Sequence, residues 1–201
     1  MIKNYIFDLG NVLAEFYPDR LTEPYVKDED AKRRISDVVF DRIYWDRRDE
    51  GLITDDDVKA GICSRLSEED GKLACTVYDN WVNTMTPVPD MQKLVCDVKK
   101  TGCKVYLLSN ISLKFANSYK QVKWIKELLD SFDGLILSGT IGKVKPNKDI
   151  FEHLLETFSL QADECLFIDD NENNIKGAMS VGINGYLFDG DAMKLREYLG
   201  I

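Results

Sequence analysis

Residues 165–178 read CLFIDDNENNIKGA. Four apolar residues, enough for one short strand, run into two adjacent aspartates, Asp169 and Asp170, and a helical pattern follows over residues 174–181. The same arrangement recurs upstream. Strands are predicted at 4–8, 104–109 and 135–138, each rich in apolar or β-forming residues and each ending on a polar one, and a fifth at 185–188 follows Gly182. Helical patterns lie between the later strands, as at 149–158, where Ile150, Phe151, Leu154 and Leu155 share one face. Strand alternating with helix implies a parallel sheet. The near-continuous apolar character of VYLL (105–108) and CLFI (165–168) suits strands covered by helices on both faces. The expected fold is therefore α/β, a doubly wound, Rossmann-like parallel sheet. Such sheets bind ligands at the carboxyl ends of their strands. Asp8, Ser109 and the Asp169/Asp170 pair, scattered along the chain, are thus expected to converge on one crevice.

Residues 17–87 break the alternation. They read as amphipathic helices over 31–45, 54–66 and 68–85, and Pro87 and Pro89 close the block. The first strand precedes this block and the rest of the sheet follows it. The expected organisation is a core of residues 1–16 and 88–201 with a helical cap, 17–87, inserted over the crevice.

The composition narrows the partners. The 201 residues are 44% hydrophobic and 30% charged, as in an ordinary globular protein, with a net charge of -9. No basic patch offers a nucleic-acid interface on a surface that repels phosphate overall. The acidic surplus gathers between residues 28 and 70 and reads as solvated helix faces, so an anionic substrate must be met by a few placed cations and a metal. Five cysteines, an odd number without a CxxC pair, argue against a zinc or disulfide scaffold. The start MIKNYIFDLG has no leader pattern and no apolar run approaches bilayer length, so the expectation is a cytoplasmic protein without a membrane partner.

Four segments carry chemistry only when taken together. In YIFDLGNVL, Asp8 follows a buried strand, and Gly10 and Asn11 suit a tight turn that Asp8, taken alone, would simply cap. In LLSN, Ser109 and Asn110 present a hydroxyl and an amide able to bind phosphate oxygens, or to cap a helix. In GKVKPNKDIF, Lys145 precedes Pro146, whose restriction of the preceding backbone turns an ordinary surface lysine into a fixed cation. In FIDDNENNIKGA, Asp169 and Asp170 repel one another unless a cation intervenes, and Mg2+ suits two carboxylates plus a substrate phosphate.

In this order the four segments resemble the haloacid dehalogenase superfamily of hydrolases, over residues 1–16 and from 88 to the end. The pattern is similar to that of the helical-capped sugar-1-phosphate phosphatases, which also begin their first motif Asp-Leu-Gly-Asn-Val. The resemblance implies a Mg2+-dependent phosphatase acting on a small phosphorylated metabolite, such as a sugar phosphate. It makes Asp8 the nucleophile that accepts the phosphoryl group as an aspartyl-phosphate. It also implies that Ser109 and Asn110 hold the phosphate and Lys145 balances its charge. Asp8, the Gly10 carbonyl, Asp169 and Asp170 would form the metal site.

Many members carry a second aspartate two residues after the nucleophile, which protonates the leaving oxygen. Here that position is Gly10, which cannot carry a proton, so Glu15, a cap residue or a good leaving group must compensate. Two alternatives stand beside this reading: a 2-haloacid dehalogenase, against which the aspartate pair speaks, and a catalytically weak ligand- or partner-binding relative, which Gly10 supports. His153, in a predicted helix, is given no role, and Tyr44, Trp45, Arg47 and Arg48 read as helix core and solvated surface.

Overall fold

The computed structural model describes residues 1–201. β1 (Asn4–Phe7) and the two-residue β2 (Ala14–Glu15) lead into five helices, α1 (Pro18–Thr22), α2 (Glu29–Val39), α3 (Arg42–Asp49), α4 (Asp55–Arg65) and α5 (Glu68–Thr84). β3 (Thr86–Pro87) pairs antiparallel with β2 and returns the chain to the sheet. The remainder alternates: α6 (Pro89–Lys100), β4 (Lys104–Ser109), α7 (Leu113–Ser118), α8 (Lys123–Asp130), β5 (Gly134–Leu137), α9 (Ser138–Ile141) and α10 (Lys148–Phe158). β6 (Cys165–Asp169), α11 (Glu172–Met179), β7 (Asn184–Leu187) and α12 (Ala192–Leu199) complete it.

The main sheet has five strands in the order β5-β4-β1-β6-β7, all paired parallel. β1 is central because the chain winds to β4 and β5 on one side, then crosses to β6 and β7 on the other. Alternation along each strand divides the side chains between two cores. Phe7, Val105, Leu107, Leu166 and Ile168 enter the larger one, whereas Ile6, Tyr106, Leu108 and Phe167 face the other, covered by Ile150, Phe151 and Leu154 of α10 and by Ile175 and Ala178 of α11. The apolar runs in these strands therefore follow from burial on both faces.

The helical segment between β2 and β3 has a third core, built from Ile35, Val39, Val58, Ile62, Ala74 and Val77. α5 joins it to the sheet, because its last turns place Trp81 and Val82 in the larger core instead. An aromatic cluster reinforces the join: Trp45 lies 5.0 Å from Trp81 and 5.4 Å from Phe16, ring centre to ring centre.

One expectation is corrected here. The single helix expected at 31–45 is two, because Phe40 ends α2 and the Asp41 carboxylate accepts from the Ile43 amide to start α3. The acidic surplus lies mostly exposed, as expected, and it collects at helix N-termini, where Asp28 caps α2, Asp55, Asp56 and Asp57 open α4, and Glu68, Glu69 and Asp70 open α5. Carboxylates there complement the helix dipole and the unpaired amides, and Thr54 with Asp57 closes a full capping box. All five cysteines are free thiols, and no helix is long and apolar enough to cross a membrane.

Close packing sets the position of the loop that carries Lys145. A Cβ added at Gly177 of α11 would lie 2.4 Å from the Pro146 carbonyl oxygen and 2.9 Å from the Phe151 ring. Gly177→Ala is accordingly expected to lose roughly 1–3 kcal/mol through overpacking, although alanine is the better helix former. Urea denaturation measures this, and an unchanged midpoint would show that the loop yields freely.

Candidate active site

Most side chains of the crevice follow the end of a strand; Lys145 comes from the loop before α10 and Asn174 from α11. The Asp8 amide donates to the Ile168 carbonyl (2.9 Å), which holds the residue after β1 against β6. The chain then closes a tight turn in which the Leu13 and Ala14 amides donate to the Leu9 carbonyl (both 2.9 Å) and the Asn11 amide to the Ala14 carbonyl (2.7 Å). Asn11 takes a left-handed backbone there (φ 54°), a conformation that asparagine tolerates better than most residues. Its side chain accepts from the Phe16 amide (3.1 Å) and donates to Asp170 (3.3 Å), tying the first loop to the fourth.

Asn110, just after β4, clasps the backbone of Lys145: its amide donates to the Lys145 carbonyl and its side-chain oxygen accepts from the Lys145 amide, both at 2.8 Å. The lysine is thereby delivered into the crevice. Its ammonium donates to Asp8 Oδ1 (2.8 Å) and Asp169 Oδ2 (2.7 Å), and Lys145 is only 4% exposed. Asp169, fully buried, is saturated. It accepts from the Asn171 amide (2.8 Å) and, through both oxygens, from the Asn174 side chain (3.1 and 3.0 Å). Asp170 lies at the exposed rim. Ser109 is buried at the end of β4, between the ends of β1 and β5.

Three carboxylates therefore face one ammonium. Asp8, Asp169 and Asp170 each offer an oxygen, and these oxygens lie within 4.8 Å of one another. Burial raises the Asp8 pKa to about 6; Lys145 opposes this shift and the Asp169 charge adds to it. Desolvation also raises Asp170, against the Asn11 amide and with the Asp169 charge. Burial alone would lower Lys145, but Asp8 and Asp169 outweigh it and its pKa rises. This excess of negative charge, converging from two strand ends, is a candidate donor set for a hard divalent cation such as Mg2+. Gly10 sits in the turn after Asp8, and a Cβ there would meet only Phe16 Cβ, at 3.8 Å, so sterics do not demand glycine.

Asp8, Asn110, Lys145, Asp169 and Asp170 are thus brought together by direct bonds and proximity. Asn11 and Asn174, which orient two of the aspartates, had no assigned role in the sequence reading. Their types suit turns and helix starts anywhere, and only the bonds to Asp170 and Asp169 distinguish them. Glu15 is no proton donor: Thr86 and Arg20 bond its Oε2 (2.8 and 2.7 Å) and hold its pKa below the ordinary value. His153 reaches only Thr157, on its own helix.

The helical segment departs from expectation at Arg48, which is buried, not solvated; it bonds Asp55 and the Tyr78 hydroxyl (3.0 Å), while Arg47 stays exposed. Its neighbour Asp49 ends α3 with one carboxylate oxygen, Oδ1, buried and without a partner. Burial and the nearby Asp46 charge raise the Asp49 pKa to about 7, against Arg42, Arg48 and Lys145. Sequence held no signal for it, since nothing in DRRDEG separates one acid of a charged run from another.

The chain matches the family model of the haloacid dehalogenase-like hydrolases over residues 2–182. It is 29% identical over 201 residues to a sesquiterpene phosphatase of Aspergillus oryzae, covering 98% of this chain and 97% of the relative. It is likewise 29% identical over 197 residues to a D-ribitol-5-phosphate phosphatase of Bacteroides thetaiotaomicron, covering 92% and 91%. Among solved structures it is similar to the magnesium complex of a HAD family enzyme from Bacteroides thetaiotaomicron, with a TM-score of 0.69, 26% identity and 92% of each chain covered.

Two outcomes follow from the charges. Lys145→Met leaves two buried carboxylates without their cation and is expected to cost about 3–5 kcal/mol in metal-free urea denaturation; adding Asp169→Asn should recover part of that loss. For Asp49, the fold favours the neutral form, so its stabilisation is complete at low pH and disappears as pH rises through about 7. Asp49→Asn should therefore melt close to wild type at pH 4 and above it at pH 8; an equal gap at both would contradict the shift.

Proposed function

The chain belongs to the haloacid dehalogenase-like hydrolases, and on that premise we propose that it is a Mg2+-dependent phosphatase that transfers the phosphoryl group of a small monoester to Asp8. The observation that carries this reading is the Asp8–Lys145–Asp169 contact beside Asp170 at the carboxyl ends of the strands. A carboxylate approaches a phosphate dianion only where positive charge offsets the repulsion, and Lys145 supplies part of it. Mg2+, held by Asp8, Asp170 and the Gly10 carbonyl with Asp169 behind them, would supply the rest by neutralising phosphate charge. Asp169, with its lone pairs taken by Lys145, Asn171 and Asn174, is better suited to orienting the lysine than to direct ligation.

In the first step an Asp8 carboxylate oxygen attacks phosphorus, the bond to the leaving oxygen breaks, and an aspartyl-phosphate forms. Water then attacks phosphorus and releases inorganic phosphate, restoring the carboxylate. Ser109 and Asn110 hold the phosphate oxygens. Residues 1–16 and 88–201 act as the catalytic core, and 17–87 as a cap that encloses the organic group. The two phosphatases quoted above act, by their names, on leaving groups as different as a terpene and a sugar alcohol, so both chemistries belong in the assay. The dehalogenase alternative is disfavoured because a cluster of aspartates repels the halide such a reaction must cradle.

The test is phosphate release from a panel of polyol, sugar, prenyl and aryl phosphates, with Mg2+ or with EDTA. Turnover is expected to require Mg2+ and to fall by at least roughly a thousandfold in Asp8→Asn. Halide release from 2-chloropropionate in EDTA would overturn the assignment, and so would a wild-type protein inert on the whole panel.

A further inference from the structure

The two transfer steps need a group that gives a proton to the leaving oxygen and then takes one from water, and the floor of the crevice has none to spare. Ser109, Asn11, Asn110 and Asn174 do not ionise near neutral pH. Lys145 is buried between two carboxylates that hold its proton, Asp8 is the attacking atom's own residue, Asp169 is filled with hydrogen bonds, and Asp170 is, in the phosphatase reading, taken up by the metal. Glu15 is ionised and paired with Arg20. The proton must come from the helical side.

We propose that Asp49, at the end of α3, is the general acid and base of the reaction. The inference rests on the phosphatase reading above and names a catalytic residue for it. α3 ends against α9, where Gly51 lies beside the Gly139 carbonyl and Gly142 beside the Glu50 carbonyl. α9 is in turn bonded to the segment that follows Ser109 and Asn110: the Gly139 amide donates to the Ile111 carbonyl and the Ile111 amide to the Ser138 hydroxyl, both at 2.9 Å. The helix end is thus fastened to the phosphate-binding strand end. At that helix end Asp49 carries a carboxyl oxygen that is buried and bonded to nothing in the chain, within range of the Lys145 charge. Leaving a buried polar atom unpaired is destabilising, an arrangement that makes sense where a substrate atom completes the bond.

The charges around it suit both halves of the task. Asp46 and burial favour the protonated form, Arg42, Arg48 and Lys145 favour the ionised one, and the balance lies at about 7. Arg48 is itself engaged by Asp55 and Tyr78, so it does not lock Asp49 into an ion pair. In the first step the Asp49 carboxyl gives its proton to the leaving oxygen as that oxygen parts from phosphorus, yielding the alcohol and an Asp49 carboxylate. In the second the carboxylate takes a proton from the attacking water as the phosphorus–Asp8 bond breaks, yielding phosphate and the original carboxyl.

The experiment compares wild type, Asp49→Asn and Asp49→Glu on an alkyl phosphate and on p-nitrophenyl phosphate, whose leaving group needs no proton. Asp49→Asn is expected to lose roughly a hundredfold or more in kcat on the alkyl ester, the usual contribution of a positioned acid or base. With the aryl ester it should retain a burst of nitrophenol followed by slow turnover, with phosphoenzyme accumulating on Asp8, and that burst also reports a folded site. The alkyl-ester pH profile should lose its upper limb, and Asp49→Glu should recover part of the rate. Equal kcat of wild type and Asp49→Asn on the alkyl ester would overturn the role of Asp49 while leaving the phosphatase reading intact. Loss of the aryl burst together with alkyl activity would assign Asp49 to structure and overturn the role as well. A wild type inert on both esters and on the wider panel would overturn the phosphatase reading itself.

Discussion

The contact of Lys145 with Asp8 and Asp169 is the constraint on which the rest of the site depends. An ammonium and two carboxylates are buried at one point, and desolvating three charges is tolerable only if each is held by partners that leave no lone pair or proton unmet. The surrounding structure supplies those partners. Asn110 fixes the lysine's backbone, Asn174 and the Asn171 amide saturate Asp169, and Gly177 allows the loop through Pro146 to sit close enough for the ammonium to reach. A crevice so arranged retains excess negative charge, because one lysine faces three aspartates. That imbalance is the charge pattern expected of a site for a divalent cation.

The helical segment completes the division of labour. The strand ends contribute ions and hydrogen-bond donors already engaged with one another, the arrangement that the phosphatase reading uses to bind a phosphoryl group and offset its charge. A proton donor needs the opposite, a carboxyl poised between its two forms, and such poise requires burial without a dedicated partner. Asp49 has that environment because it ends a helix that packs on the rim of the sheet instead of forming part of it. On the proposed reading, an acid on the inserted segment links proton transfer to the enclosure of the substrate, and with Gly10 in the first turn that reading assigns the task to the helical segment.

Much of the architecture was legible beforehand. The alternation of apolar strands with helical patterns gave the parallel sheet, and the strand boundaries fall within a residue of those read from polar strand ends. Asp8, Lys145 and the Asp169/Asp170 pair were recognisable because each follows an apolar strand or precedes a proline in a fixed order. The break at Phe40 was missed because hydrophobic periodicity continues across it, while the Asp41 cap that ends the pattern is a local event. The acidic clusters are solvated as expected, and their gathering in the first turns of α2, α4 and α5 follows from capping of the helix N-termini.

Sequence by itself determined the order of the elements, the two-faced burial of the strands and the identity of the groups at their carboxyl ends, since these follow from periodicity and residue chemistry along the chain. Only the tertiary structure decided which aspartate is saturated and which is open, that Asn11 and Asn174 serve the site, and that Arg48 is buried. It alone distinguished Asp49 from the other acids of its helix. The physical reason is that a carboxylate's behaviour depends on burial and on neighbours brought together from distant parts of the chain, neither of which local sequence encodes.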